Sequence, residues 1–173
     1  MGDGTTTNRS MSVAVLGLGI SGKTKAVSKG TGFSLGLNTD GICFTCGDNT
    51  YGSLGDNTTT SKSTPVSVIA PTKFSQISSG SYHALALDDY GTLWVWGRNN
   101  VGQLGLGSTV DYSSPVAINR GAMKFVQISA VNNSSSAVDL DGNVWTWGTL
   151  ALGGSASNPV SIKNFKARLK KIY

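Results

Sequence analysis

The sequence predicts an all-β protein built from repeated four-stranded antiparallel meanders, arranged as roughly three blades of a partial β-propeller. Two observations support this prediction: a turn-rich composition and an internal repeat of about 50 residues. Glycine makes up 23 of the 173 residues, nearly twice its usual share of ~7%, and glutamate is absent. Because helix surfaces normally use Glu, Lys and Arg, this composition favours short strands joined by turns.

The repeat is visible in anchor residues that keep a nearly constant spacing. Gly41, Gly91 and Gly142 are 50 and 51 residues apart. A second set of glycines repeats at the same intervals: Gly47, Gly97 and Gly148. Three prolines each precede a Val-x-[Val/Ile] strand: Pro65, Pro115 and Pro159. Self-similarity of this period indicates a repeat architecture such as a propeller.

The repeat divides the chain into five segments. Residues 25–68, 74–118 and 125–162 are predicted blades, the third of them shortened. Residues 1–24 are predicted to be the back half of an earlier blade plus a connector. Residues 163–173 are a basic tail or the first strand of a further blade.

Within the second blade, the strands are expected at residues 74–78, 82–87, 92–97 and 115–118. The Tyr90-Gly91 pair is expected to form a hairpin turn between the second and third strands. The fourth strand is predicted to begin at its proline, because a missing N–H is tolerated at the first residue of a strand.

The stretch DGTLWVWGRNNVGQLGLG, followed by SSPVAI and KFVQIS, resembles the regulator of chromosome condensation repeat family. GSYHALAL is similar to that family's second strand. The resemblance implies a seven-bladed β-propeller in complete members, and this chain has too few units to close such a ring alone. The low charge and the Ser/Thr/Asn-rich loops resemble bacterial and bacteriophage members more than nuclear ones.

Residues 13–24 read VAVLGLGISGKT, which matches two nucleotide-binding patterns. One is the dinucleotide fingerprint G-x-G-x-x-G, and the other is the phosphate loop. Gly17, Gly22, Lys23 and Thr24 fit the phosphate loop G-x-x-x-x-G-K-[ST]. Such a loop needs a helix N-terminus directly after it to present backbone donors, whereas the residues that follow here are glycine-rich and strand-like. We therefore interpret the segment as a blade's last strand plus a connector. Nucleotide binding is an alternative that rests on these residues alone.

Cys43 and Cys46 form a C-x-x-C pair inside a predicted strand. Side chains three positions apart in a strand point to opposite faces, so the two thiols are expected neither to chelate one ion nor to pair readily. The chain offers no second pair for a zinc site. We interpret both as buried side chains, with a labile thiol as the alternative.

His83 is the only histidine, and Phe33 and Ser134 take its place in the other repeats. No spacing suggests a Ser-His-Asp partner, so His83 is predicted to be a hydrogen-bonded structural residue. Two tryptophan pairs follow the pattern x-W-x-W-G: Trp94 with Trp96, and Trp145 with Trp147. Each pair shares one strand face, which predicts inter-blade core rather than a stacking platform for bases or sugars.

The net charge of +5 is concentrated near the C-terminus. Five of the 14 basic residues lie there: Lys163, Lys166, Arg168, Lys170 and Lys171. The rest of the chain is neutral, which argues against nucleic-acid binding except through this tail. The tail itself fits either a strand or a basic amphipathic helix.

The sequence contains no catalytic constellation and no metal or cofactor motif beyond the phosphate-loop match, so we expect a non-enzymatic protein-interaction or structural module. Protein partners or further copies of the chain are expected to cover the open propeller edges. Lys23, Lys25 and the five basic tail residues are the candidate contacts. A component of a large assembly, such as a phage capsid or tail, is the concrete hypothesis.

Two alternatives remain: a guanine-nucleotide exchange or chromatin-associated propeller, and a phosphate-loop nucleotide-binding protein. The N-terminal sequence lacks a secretory-signal pattern, and no apolar stretch approaches the ~20 residues of a membrane span. A cytoplasmic or virion location is therefore the expectation.

Overall fold

A computed structural model describes residues 3–5, 23–118, 121–150 and 154–161. Within these ranges the chain forms twelve β-strands and no α-helix. Accordingly, the described residues contain no helix with the length and apolarity needed to cross a membrane.

The strands form three four-stranded sheets, and in each sheet the strands follow chain order. Blade 1 contains β1 (Thr24–Lys29), β2 (Phe33–Asn38), β3 (Cys43–Gly47) and β4 (Lys62–Ser67). Blade 2 contains β5 (Phe74–Ser79), β6 (His83–Asp88), β7 (Leu93–Gly97) and β8 (Tyr112–Ala117). Blade 3 contains β9 (Phe125–Val131), β10 (Ser134–Asp139), β11 (Val144–Thr149) and β12 (Ser155–Ser161). All neighbours pair antiparallel, which confirms the predicted fold class.

The outer strand of each blade begins earlier than the sequence suggested. In blade 2, β8 begins at Tyr112, so Pro115 is its fourth residue rather than its first. The outer strand pairs on one side only, and Pro115 falls between the paired positions Tyr112 and Val116, where the register shifts. The missing N–H of proline is therefore accommodated at an irregular edge.

The blades stack through their sheet faces, and the hydrophobic core lies between them. We call the side of a blade that faces the preceding blade its front face and the opposite side its rear face. The first interface packs the rear face of blade 1 (Phe33, Leu35, Leu37, Leu54) on the front face of blade 2 (Phe74, Ala84, Ala86, Trp96). The second packs Leu85, Leu87, Leu93 and Val95 of blade 2 on Phe125, Ile128, Ala137 and Trp147 of blade 3.

A glycine in the preceding blade makes room for each buried tryptophan. The Trp147 indole N–H donates a 2.8 Å hydrogen bond to the carbonyl of Gln103, and the Trp96 indole does the same to Ser53 at 3.0 Å. A Cβ at Gly105 would lie 2.8 Å from Trp147 Nε1, and the φ of Gly105 is +71°. The last glycine of the repeated Gly-x-Leu-Gly sequence therefore lets the loop of one blade pack closely on the tryptophan indole of the next.

Candidate interaction surfaces

The meander places two kinds of loop on opposite faces of the stack. Because strand direction alternates, the first-to-second and third-to-fourth connections of every blade share one face. We call it the long-loop face, since it carries residues 48–61 and 98–111. The opposite, short-turn face carries the tight turns at residues 39–42, 89–92 and 140–143 together with the connectors between blades.

Buried asparagines hold the long loops in shape. The side-chain oxygen of Asn99 accepts a 2.9 Å hydrogen bond from the Leu104 amide, and its nitrogen donates to the carbonyls of Ser108 and Val110. Asn49 repeats this arrangement in blade 1, accepting from the Leu54 amide at 2.9 Å. The loops on this face are thus fixed from inside, which suits them to present side chains to a partner. Sequence reasoning missed these asparagines, although both occupy the same repeat position.

Arg98 lies between two tyrosines at the junction of blades 1 and 2 on the long-loop face. Its guanidinium carbon is 4.4 Å from the ring centroid of Tyr51 and 5.8 Å from that of Tyr82. The two rings meet edge to face, with centroids 5.3 Å apart. All three side chains are half-buried. The sequence did not reveal this cluster, because its members come from three separate loops.

A shallow groove of about 370 Å³ separates blades 2 and 3 on the short-turn face. Its rim includes Tyr90 and Leu140, which are 76% and 69% exposed. Asp88 lies at its base, where its carboxylate accepts hydrogen bonds from the amides of Tyr90 and Thr92 and from the Trp94 indole. Asp88 is therefore occupied in holding its own turn.

The structure places part of the phosphate-loop match in a strand. Thr24 is the first residue of β1, so strand rather than helix follows Lys23. The Lys23 amide donates to the hydroxyl of Thr39, a contact within blade 1. β1 therefore begins one residue before residue 25, the predicted start of this blade. Gly17 and Gly22 lie outside the described residues.

Of the predicted contact residues, Lys23 and Lys25 are exposed. The Lys25 ammonium donates a 3.2 Å hydrogen bond to the carbonyl of Ser75, joining blade 1 to blade 2. The basic tail lies outside the described residues: Lys163, Lys166, Arg168, Lys170 and Lys171.

The two cysteines are buried free thiols in β3. Burial raises the pKa of Cys43 to about 12 and also raises the pKa of Cys46. Neither thiol is therefore an activated nucleophile near neutral pH. Among the described residues, no three metal-ligating side chains come together.

His83 bridges blades 2 and 3 in a fully buried position. Its Nε2 lies 2.8 Å from the hydroxyl of Ser135, and that hydroxyl donates to the carbonyl of Gln103. The Ser135 hydroxyl has one proton and donates it to Gln103, so Nε2 of His83 is the donor in its bond to Ser135. The ring is neutral, with its proton on Nε2 and none on Nδ1. Burial lowers the pKa of His83 to about 4. His83 therefore joins blades 2 and 3 from a position that solvent does not reach.

The front face of blade 1 leaves an apolar position uncovered. Ile77 packs into the first core cluster and Ile128 into the second. Val27 occupies the matching position on β1, and it is 77% exposed. Blade 1 therefore presents, on its inner strand, the kind of position that elsewhere contacts a neighbouring blade.

The rear face of blade 3 is more polar than the equivalent face of blade 2. Where blade 2 pairs Leu85 with Val95, blade 3 pairs Ser136 with Thr146. The Thr146 hydroxyl donates to the carbonyl of Ser135, inside its own sheet. Within the described residues, a polar pair of blade 3 thus stands where blade 2 presents apolar side chains to its neighbour.

Residues 3–5 make a blade-to-blade contact that recurs twice along the chain. The Gly4 amide donates to the carbonyl of Ser63 at 3.2 Å. The same bond joins Asn57 to Ser113 at 2.9 Å and Gly107 to Ser157 at 2.8 Å. Gly4 therefore contacts blade 1 in the same way that Asn57, in a loop of blade 1, contacts blade 2.

Comparison with known structures identifies the fold. Human WBSCR16 is 22% identical with a TM-score of 0.75, over 83% of this chain and 39% of that one. Saccharomyces cerevisiae Prp20p is 21% identical with a TM-score of 0.74, over 84% of this chain and 39% of that one. Yeast RCC1 (Prp20) bound to Kap60 is 21% identical with a TM-score of 0.72, over 84% and 38% respectively. The chain thus spans about two fifths of the length of these propellers.

Sequence comparison gives the family directly. No curated protein is similar enough in sequence to count as a relative. A model of the regulator of chromosome condensation (RCC1) repeat, however, matches residues 40–87 and 90–138, together more than half of the chain. A second model of the same repeat matches residues 74–103. The chain therefore belongs to the regulator of chromosome condensation (RCC1) repeat family.

Proposed function

We propose that the chain is a non-enzymatic protein-interaction or structural module that works within a larger assembly. The observation that carries this proposal lies on the front face of blade 1, where Val27 is 77% exposed although its counterparts Ile77 and Ile128 are packed in the cores. An exposed apolar side chain at a position that packs on a neighbouring blade elsewhere in the repeat favours association. A protein partner or a further copy of the chain would cover it.

The described titratable groups support a binding role rather than catalysis. His83 is neutral and sealed between blades, and the pKa of Cys43 lies far above neutral. The buried carboxylate of Asp88 is committed to its own turn. The long loops, in contrast, are fixed from inside and carry exposed polar residues, an arrangement that suits recognition by surface contact.

The concrete form of the proposal is a phage capsid- or tail-associated protein. Its support is the low overall charge, with 13% charged residues, and the Ser/Thr/Asn-rich loops.

A guanine-nucleotide exchange or chromatin role is the alternative. The solved yeast relatives are described as bound to Kap60, and as binding Gsp1p and histones. Those properties belong to those proteins, and this chain spans about two fifths of their length.

Isolation of the protein from its natural source tests the proposal. We expect native mass spectrometry of the purified material to show the chain inside a complex of defined composition. A compact monomer at micromolar concentration, with no co-purifying protein, would contradict the proposal. Accelerated nucleotide release from a small GTPase would favour the exchange alternative.

A further inference from the structure

We propose that Arg98 on the long-loop face binds a carboxylate side chain, from Asp or Glu, of a protein partner. The inference deepens the proposed function and rests on it, because it names the chemistry of the partner at one surface. It is carried by the geometry of Arg98 with Tyr51 and Tyr82, by the charges around it and by comparison with the next blade junction.

The guanidinium is pre-organised. Arg98 directly follows β7, and its amide is fixed by a 2.9 Å hydrogen bond to the carbonyl of Tyr82. The side chain then lies over the Tyr51 ring at 4.4 Å. The Ser53 hydroxyl donates to the Tyr82 carbonyl at 2.7 Å, which fixes blade 1 against blade 2 at this point. Little conformational freedom remains to be lost when a ligand binds.

The guanidinium donors are unengaged within the described part of the chain. No carboxylate there forms a hydrogen bond or ion pair with Arg98, which contacts the two tyrosine rings instead. The nearby acids are occupied in their own loops. Asp48 accepts from Thr50, which is the main reason why its pKa is lowered, and Asp111 accepts from the Asn99 amide at 2.6 Å. A stacked guanidinium with unengaged donors suits bidentate binding of a carboxylate.

Blade stacking does not require this cluster. At the junction of blades 2 and 3, Thr149 stands in place of Arg98 and Asn133 in place of Tyr82, with the same 2.9 Å backbone bond. Val101 matches Tyr51 in the repeat. The second junction is as well packed, with Trp147 fully buried. The aromatic and cationic side chains at the first junction are therefore additions to the repeat, and Tyr and Arg are enriched where proteins bind proteins.

The surrounding charges favour a protein carboxylate over nucleic acid. Phosphate-backbone binding needs several cations along one surface. The two long loops, residues 48–61 and 98–111, contain Asp48, Asp56 and Asp111 and no cation besides Arg98. A polyanion would meet these carboxylates, whereas a single Asp or Glu side chain beside an apolar residue fits a site made of one arginine and two aromatic rings.

Nuclear magnetic resonance of the full chain, labelled with ¹⁵N-arginine, tests the proposal. The probe is the acetylated and amidated tetrapeptide Gly-Phe-Glu-Gly, and its control is the same peptide with Gln for Glu. We expect the Arg98 Nε–Hε signal to shift saturably with the Glu peptide, and the Gln peptide to bind roughly tenfold more weakly. Oligothymidylate is the third titrant and should bind more weakly than the Glu peptide.

Variants separate recognition from a purely structural role. Arg98→Lys keeps the charge and removes the planar fork, and Arg98→Gln removes both, so each should reduce Glu-peptide affinity to that of the Gln peptide. Lys73→Gln removes one charge on the short-turn face and should leave affinity unchanged. Equal affinity for both peptides, an unmoved Arg98 signal, or tighter binding of oligothymidylate through Arg98 would overturn the proposal.

Failure of this inference differs from failure of the proposed function. The Arg98→Gln variant can keep the native complex while the Arg98 signal of the wild-type chain does not shift with the Glu peptide. That result would support the assembly role and refute the carboxylate site. If the wild-type chain is a monomer without partners, the assembly role itself falls.

Discussion

The His83 imidazole donates a 2.8 Å hydrogen bond from Nε2 to the hydroxyl of Ser135 across the junction of blades 2 and 3. Nε2–H can donate this bond from the neutral ring or from the imidazolium, but protonation would place a positive charge on a fully buried side chain. The only histidine of the chain therefore makes the stability of this blade junction depend on pH.

Stability should therefore fall on mild acidification. Burial lowers the pKa of His83 from 6.5 to about 4, so the unfolded state binds the proton more readily. The stabilisation is complete above pH 6.5 and is lost as pH falls from there toward 4, by up to about 3 kcal/mol. Urea unfolding at pH 7.5, 6 and 5 measures this loss. His83→Phe, which copies Phe33 of blade 1, should flatten the dependence, and an equal slope in that variant would refute the assignment.

Alanine at Gly105 should destabilise the fold more than alanine at Gly121. Both glycines have positive φ, at +71° and +64°, so both substitutions carry the same backbone cost. A Cβ at Gly105 would also collide with the Trp147 indole, whereas nothing lies within 4 Å of a Cβ at Gly121. We expect Gly105→Ala to cost about 1–3 kcal/mol more in chemical unfolding. Equal costs would mean that the indole can move aside.

Removing the buried indole should weaken the first blade junction far more than removing its half-exposed neighbour. Trp96 is fully buried and hydrogen-bonded to Ser53, while Trp94 is partly exposed and bonded to Asp88 of its own blade. Trp96→Ala should cost about 3–5 kcal/mol of unfolding free energy, and Trp94→Ala clearly less. Similar losses of unfolding free energy in both variants would show that the Trp96 indole is not the main packing element of this junction.

The fold was predictable because its anchors are local and periodic. Glycine turns, the x-W-x-W-G strands and the Val-x-[Val/Ile] strands recur about every 50 residues, and each encodes one piece of a blade. The start of the outer strand was predicted wrongly, since a bulged edge accepts Pro115 inside the strand. Proline alone therefore does not mark the start of an edge strand.

The Arg98 cluster was not predictable in the same way. Tyr51, Tyr82 and Arg98 lie in three loops that only blade stacking brings together. The sequence did contain a usable signal, because these positions hold Val101, Asn133 and Thr149 in the next unit. The usable signal for such a site is therefore a departure from the repeat at surface positions, rather than the repeat itself.

The central claim is that the front face of blade 1 is an interface, and Val27→Asp tests it most directly. Val27 is 77% exposed, so the charge should change unfolding free energy by no more than about 0.5 kcal/mol. Val110→Asp, at a 60% exposed valine in a long loop, is the matched control. Native mass spectrometry of the assembled protein should show that Val27→Asp releases the chain as a monomer while Val110→Asp leaves the complex intact. An unchanged complex in Val27→Asp would contradict the account.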